Sequence, residues 1–240
     1  MLTRFLAEAD AERASRTLLK LARHDISQWA LTGRLAIEIH QLRRGCGIPS
    51  RTLNDIDFVA ESFDRIPETL ASDFLFRHVH PLDPPGKNMA QMVDRDTAVR
   101  IDIFRANGAT MNRTTEIDLP CGRIQMVSLE DLTARATRLA LDLAEGAPTP
   151  AKHARGFLNL AKLADSELME AAWHDHRKPK QPRTFVAANS LLQQLIASHP
   201  GLLITSIYSR NTEELCARCA ATPAFPLANA QAVLELLGYC

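Results

Sequence analysis

The chain lacks an excess of charge of either sign: 28 Lys and Arg balance 28 Asp and Glu over 240 residues, for a formal net charge of zero. Broad electrostatic capture of nucleic acid depends on neutralising many phosphates at once, so that class of function is disfavoured. Local basic groups such as Arg43-Arg44 and Arg177-Lys-Pro-Lys180 could contact RNA, or be solvated surface. No apolar run approaches the roughly 18 residues of a membrane span. The opening Met-Leu-Thr-Arg-Phe-Leu-Ala-Glu-Ala-Asp10 carries acids where a signal peptide needs an unbroken apolar stretch. The expectation is a cytoplasmic protein with no membrane partner. Five cysteines, Cys46, Cys121, Cys216, Cys219 and Cys240, are odd in number and scattered, which fits reduced thiols. Cys216-Ala-Arg-Cys219 has the spacing of half a zinc site without a second pair, and reads as a packed helical turn. A phosphate-binding Gly-x-x-x-x-Gly-Lys-Ser/Thr loop and a Gly-x-Ser-x-Gly elbow are both missing.

What is present is an arrangement of acids on short strands. Apolar residues make up 46% of the chain and charged ones 23%, an ordinary globular composition. In Arg51-Thr-Leu-Asn-Asp55-Ile-Asp57-Phe58-Val59 an extended backbone sends Asp55 and Asp57 to one face and Ile56 and Phe58 to the other. The strand rise puts the two acids about 7 Å apart at Cα. Val99-Arg-Ile-Asp102-Ile-Phe104 repeats the logic, with Asp102 on the face of Arg100 and Phe104. Paired strands would gather three carboxylates, which repel one another unless a hard cation collects them. Solvent-facing acids on half-exposed strands are the bland alternative. Upstream, Trp29-Ala-Leu-Thr-Gly33-Arg34-Leu-Ala-Ile-Glu-Ile-His40 reads as strand, glycine turn and helix, a turn that offers free amides to a phosphate. A two-metal phosphoryl or nucleotidyl transfer site is the sharper reading.

Spacing predicts a helix within residues 4–25, a strand at 28–32, a helix at 34–44, the Asp-x-Asp strand at 54–60 and a short helix at 66–72. Strands near 75–80 and 88–93 flank the Pro81-Leu-Asp-Pro-Pro-Gly86 turn, and the Asp102 strand follows. Sequential hairpins would lay that strand close to Asp55 and Asp57. A marginal hairpin is expected at 115–119 and 123–127. Ser128-Leu-Glu-Asp131 then opens a helix to about Leu143 with a capping box that uses Asp. Gly146-Ala-Pro-Thr-Pro150 has linker composition, and 151–240 is expected to be helical throughout, broken at prolines. The fold class is therefore α/β: a mixed sheet flanked by helices, as residues 1–146 with an N-terminal helix, followed by an all-helical region at 147–240. His78 with His80, and His174 with His176 beside Trp173, are chemically able to ligate metal. Neither pair has i, i+4 helical spacing or a third ligand in sequence, so structural roles are expected.

Gly33, Arg51, Asp55-Ile-Asp57-Phe58, Asp102 in Arg-Ile-Asp-Ile-Phe, and Val127-Ser-Leu-Glu-Asp-Leu132 together resemble the nucleotidyltransferase superfamily that shares its fold with DNA polymerase beta, and within it the AbiEii-like branch of toxin and abortive-infection proteins. The resemblance spans about residues 28 to 160. It implies a sheet-based nucleotidyltransferase core, two Mg2+ ions held by Asp55, Asp57 and Asp102, and an NTP held by Gly33, Arg34 and Arg51. It also implies transfer of a nucleoside monophosphate to a hydroxyl on RNA or protein, with an antitoxin or other protein partner. The sequence departs from the family at the turn, where Gly33-Arg34 replaces Gly-Ser or Gly-Gly, and Arg34 could either clamp a triphosphate or fill its pocket. Leu53 stands where the branch has Ser or Thr, and Arg155-Gly-Phe-Leu-Asn159 lacks both acids of a later branch pattern. A catalytically weakened nucleotide-binding protein is one alternative. A helical protein-interaction module is another.

Overall fold

A computed structural model describes residues 1–62, 66–77, 89–119, 122–145, 152–203 and 225–226. They fall into two compact units. The first comprises Met1–Ala106 and Thr114–Met126, with the strand at Phe225–Pro226; the second comprises Asn107–Arg113 and the segment that begins at Val127.

The first unit is one mixed sheet with helices. Helix α1 (Glu8–Leu21) buries Ala11, Ala14, Leu18 and Leu21, which recur at helical spacing, and carries Glu8 and Asp10 in its first turn and Lys20 in its last, as the helix dipole favours. Lys20 Nζ donates to Asp94 Oδ1 at 2.6 Å and Thr17 Oγ1 to Asp94 Oδ2 at 2.7 Å, which fastens α1 to the sheet. Strand β1 (Trp29–Thr32) is buried along its length and runs straight into α2 (Gly33–Arg43). Strand β2 (Asp55–Ala60) alternates as its sequence demands, with Ile56 and Phe58 buried and Asp55 and Asp57 half-buried on the other face. The rings of Trp29 and Phe58 pack with centroids 5.9 Å apart.

The remaining strands are β3 (Phe74–Arg77), β4 (Met89–Asp94), β5 (Arg100–Arg105), β6 (Thr115–Leu119), β7 (Gly122–Met126) and β8 (Phe225–Pro226). The sheet order is β6-β7-β1-β2-β5-β4-β3-β8. β1 with β7 and β2 with β5 are the parallel pairs, and the other neighbours are antiparallel. The Asp102 strand thus lies directly against the Asp-x-Asp strand, the proximity the hairpin argument sought. It arrives there in parallel, with β4 and β3 outside it. Register then decides the chemistry: Asp57 pairs with Asp102 and Asp55 with Arg100 across β2 and β5, while Thr32 of β1 pairs with Asp57.

In the second unit α3 (Leu129–Ala144) packs against α4 (Lys152–Leu160), α5 (Ser166–His176) and α6 (Phe185–Ser198). Ser128 caps α3, its Oγ accepting from the Asp131 amide at 3.0 Å, as the capping-box spacing predicts. Asp165 and Thr184 cap α5 and α6 in the same way. Trp173 is fully buried and donates its indole N–H to the Pro182 carbonyl at 2.9 Å. Two expectations change. The segment at 66–72 is a 3-10 helix (Glu68–Ser72), and Phe225–Pro226 pairs antiparallel with β3 inside the region expected to hold helices alone. The Pro81–Gly86 turn, the 146–150 linker, His78 and His80, and Cys121, Cys216, Cys219 and Cys240 lie outside the described residues.

Candidate active site

Asp55, Asp57 and Asp102 converge at the register point of β2 and β5. Each offers a carboxylate oxygen within 4.8 Å of the others, and among the described residues they are the group of three metal-capable side chains brought together. Asp102 is buried at 5% exposure. Gln91, its register partner on β4, donates Nε2–H to Asp102 Oδ1 at 2.8 Å.

Gly33 stands directly beside Asp57. Its φ is +65°, a left-handed conformation that side chains other than glycine resist, and a Cβ there would lie 1.8 Å from Asp57 Oδ2. Both the turn and the close approach therefore require glycine. Gly33 also opens α2, whose N-cap residue Thr32 supplies no side-chain cap. The first amides of an 11-residue helix are thus presented next to the acids.

Arg34 and Arg51 meet on one acceptor. Glu38, almost wholly buried, takes two hydrogen bonds from Arg51, Nε to Oε1 at 2.7 Å and an Nη to Oε2 at 2.8 Å. Arg34 Nε adds a third at 2.9 Å, while its side chain stays 61% exposed. Arg51 also donates to the Thr52 carbonyl at 2.7 Å, so its guanidinium is committed to holding the 51–52 segment on α2. Arg34 is loosely engaged at the surface.

Sequence reasoning overlooked the residue that most alters the site. Arg100 reaches across from β5, hydrogen-bonds Asp55 Oδ2, and places Nε 3.3 Å from Asp102 Oδ2. That second contact is an ion pair without hydrogen-bond alignment, because Nε is buried and unmatched. Burial opposes the guanidinium charge, but the fields of Asp102 and Asp55 and the bond to Asp55 outweigh it and raise its pKa above the ordinary value. The signal was legible: Arg100 is two residues before Asp102, hence on its face. Glu38 was legible too, one helical turn after Arg34.

An oxygen-only set of three carboxylates suits a hard divalent cation such as Mg2+, and a helix N-terminus suits a phosphate. The donor set fits, with the qualification that Asp55 already holds a cationic partner within the chain.

A separate polar network lies in the second unit. Asp131, fully buried, accepts from Ser128 Oγ at 2.6 Å, Thr110 Oγ1 at 2.9 Å, Arg113 at 2.8 and 2.9 Å, and His176 Nε2 at 3.0 Å. Burial disfavours its charge, yet these donors hold its pKa far below the usual carboxylate range. Burial pushes the His176 imidazole down. Arg113 also grips Asp175 at 2.7 Å. His176 therefore serves structure, as expected, whereas His174 is largely exposed with its Nδ1 3.6 Å from Asp175 Oδ1.

No family model matches the sequence, and no curated protein matches it. The fold is similar to solved structures. An antigenic nucleotidyltransferase-like protein from Paracoccidioides brasiliensis aligns at 16% identity and a TM-score of 0.45, over 80% of this chain and 91% of that one. JHP933 from Helicobacter pylori aligns at 12% identity and a TM-score of 0.34, over 82% and 97%. What the site can do rests on its own residues. No helix among the described residues is long and apolar enough to cross a membrane.

Proposed function

We propose that the protein is a Mg2+-dependent nucleotidyltransferase that moves a nucleoside monophosphate from an NTP to a hydroxyl on RNA or protein. The observation that carries this reading is the convergence of Asp55, Asp57 and Asp102 within 4.8 Å beside the left-handed Gly33 that opens α2. When bound, Mg2+ supplies neutralising charge to the phosphates. The chain supplies position. The N-terminal turn of α2, to which Thr32 gives no side-chain cap, and the exposed Arg34 would both favour the negative charge of phosphate oxygens bound beside the acids. Asp102, oriented by Gln91, accepts the proton of the attacking hydroxyl as its oxygen bonds to the α-phosphorus and pyrophosphate leaves.

Arg51, bonded to Glu38, acts on the nucleotide only through the placement of α2 in this account. A cytoplasmic toxin of the AbiEii-like kind, held by an antitoxin, is the biological setting we assign to it. Incubation with labelled NTPs and total RNA or lysate tests the activity. Label should enter a macromolecule with Mg2+ and not with EDTA, and Asp102→Asn should abolish transfer. NTP binding without transfer would instead support a catalytically weakened nucleotide-binding protein, a reading favoured by the guanidinium of Arg100 among the acids.

A further inference from the structure

A second set of side chains in the first unit, sharing no residue with the acid cluster, joins an exposed hydroxyl to a shielded imidazole and a carboxylate. We propose that Thr69, His24 and Asp73 form a reactive site that accepts an acyl group from an activated ester or thioester, with Thr69 Oγ1 as nucleophile, His24 as its base and Asp73 positioning the base. Neither a cation nor a nucleotide takes part, so the inference stands apart from the reading above.

Backbone contacts fix the segments that carry the three residues. Helix α1 ends at Leu21, and the His24 amide donates to the Leu21 carbonyl at 3.0 Å. Thr69 lies in the 3-10 helix at Glu68–Ser72, and Asp73 follows it, its amide donating to the Leu70 carbonyl at 3.2 Å. Arg95 secures this segment: its amide donates to the Asp73 carbonyl at 3.3 Å and an Nη to the Ala71 carbonyl at 2.8 Å. The His24 ring packs edge-on against Phe74, with centroids 6.0 Å apart.

Hydrogen-bond roles then follow from atom type. His24 Nε2 lies 2.9 Å from Asp73 Oδ2, and His24 Nδ1 lies 2.9 Å from Thr69 Oγ1. A carboxylate only accepts, so Nε2 carries the hydrogen, and in the neutral ring Nδ1 is left to accept from the Thr69 hydroxyl. A nucleophile, its base and an acid that orients the base, each within hydrogen-bond reach of the next, is the arrangement that activates a hydroxyl. Exposure is divided to suit it: the His24 side chain is 4% exposed, whereas Thr69 is exposed. An acyl donor can reach the hydroxyl while the base is shielded from water. Packing alone does not call for the contact, since an exposed threonine can bond to water. In the reaction Thr69 Oγ1 bonds to the acyl carbon as the ester or thioester bond breaks; its proton passes to His24 Nδ1 and from there to the departing alcohol or thiol. The product is a threonine ester.

The probe is p-nitrophenyl acetate, applied to the full chain without metal or nucleotide, and acetyl groups are located and timed by peptide mass mapping. Thr69 should be acetylated about 100-fold or more faster than Thr115, an exposed threonine of β6, which is the usual gain from general-base assistance. His24→Gln should remove that advantage. Asp73→Asn should remove it too, because an amide can donate to Nε2 and so put the ring hydrogen on Nδ1, where it no longer accepts from the hydroxyl. Asp73→Glu, which keeps a carboxylate, should recover part of the rate. Acetylation of Thr69 no faster than that of Thr115 in wild type would overturn the inference, as would an undiminished rate in His24→Gln. Equal rates in Asp73→Asn and Asp73→Glu would overturn the role given to Asp73. The wild-type comparison of Thr69 with Thr115 decides the matter alone if the variants do not fold.

Discussion

Gly33→Ala is the smallest change that separates a built site from a chance gathering of acids. The added methyl carbon would be 1.8 Å from Asp57 Oδ2, far inside van der Waals contact, at a φ of +65°. A left-handed residue other than glycine costs about 1–2 kcal/mol. Driving the Asp57 side chain off its rotamer adds about 0.5–1.5 kcal/mol. The combined loss is roughly 2–3 kcal/mol, which in a chain of this size lowers Tm by roughly 5–10 °C. The diagnostic part is functional. If the Asp57 oxygen must move, the cation loses one of its ligands, so Mn2+ affinity should fall by more than the stability change alone explains. Thermal melts with and without Mn2+, followed by calorimetric titration, measure both effects. An alanine variant with wild-type Tm and wild-type Mn2+ affinity would refute the reasoning, since Asp57 would then not be held against the turn.

Arg34→Ser should change the melting temperature little, because a largely exposed i, i+4 pair is worth only about 0.3–0.5 kcal/mol, but should weaken NTP binding by the roughly 1.5–3 kcal/mol of a charge-assisted hydrogen bond. Tighter binding in that variant would show that Arg34 fills the phosphate position. Asp131→Asn, which removes a buried charge from four donor side chains, should destabilise the second unit by about 3–5 kcal/mol without changing Mn2+ binding to the first. His176 is held below its ordinary value of 6.5 by burial, so the unfolded chain binds its proton first. The stability it contributes is complete above that pH and declines as pH falls through it; Asp131, also lowered, adds a second loss below 3.8. Melts between pH 8 and 5 should show the first decline in wild type and a flatter profile in His176→Gln.

Sequence periodicity was most informative where local and tertiary demands agree. Ile56 and Phe58 needed the core and Asp55 and Asp57 did not, so alternation alone predicted the β2 faces. Ser128 and Asp131 predicted the α3 start because capping is a matter of three residues. What escaped depended on partners distant in the chain. Asp131 does more than cap, since Arg113 and His176 reach it from elsewhere in the second unit. The guanidinium of Arg51 bonds Glu38, a partner 13 residues away that no local rule selects. The pairing of Arg100 with Asp55 arises from the β2 and β5 register, which alternation cannot supply. The strand at Phe225–Pro226 is only two residues long and is defined by pairing with β3, so its own sequence carried no periodic signal.

The central claim is that Asp55, Asp57 and Asp102 exist to gather a cation and, with it, a nucleotide. Its most direct test is the thermal shift produced by Mg2+ and NTP together, compared between wild type and the Asp55→Asn, Asp57→Asn double variant. Ligand at a hundred times its Kd should stabilise wild type by about 2.7 kcal/mol. The double variant should fold and show none of that shift. A double variant that retains the full Mg2+-NTP shift would contradict the account.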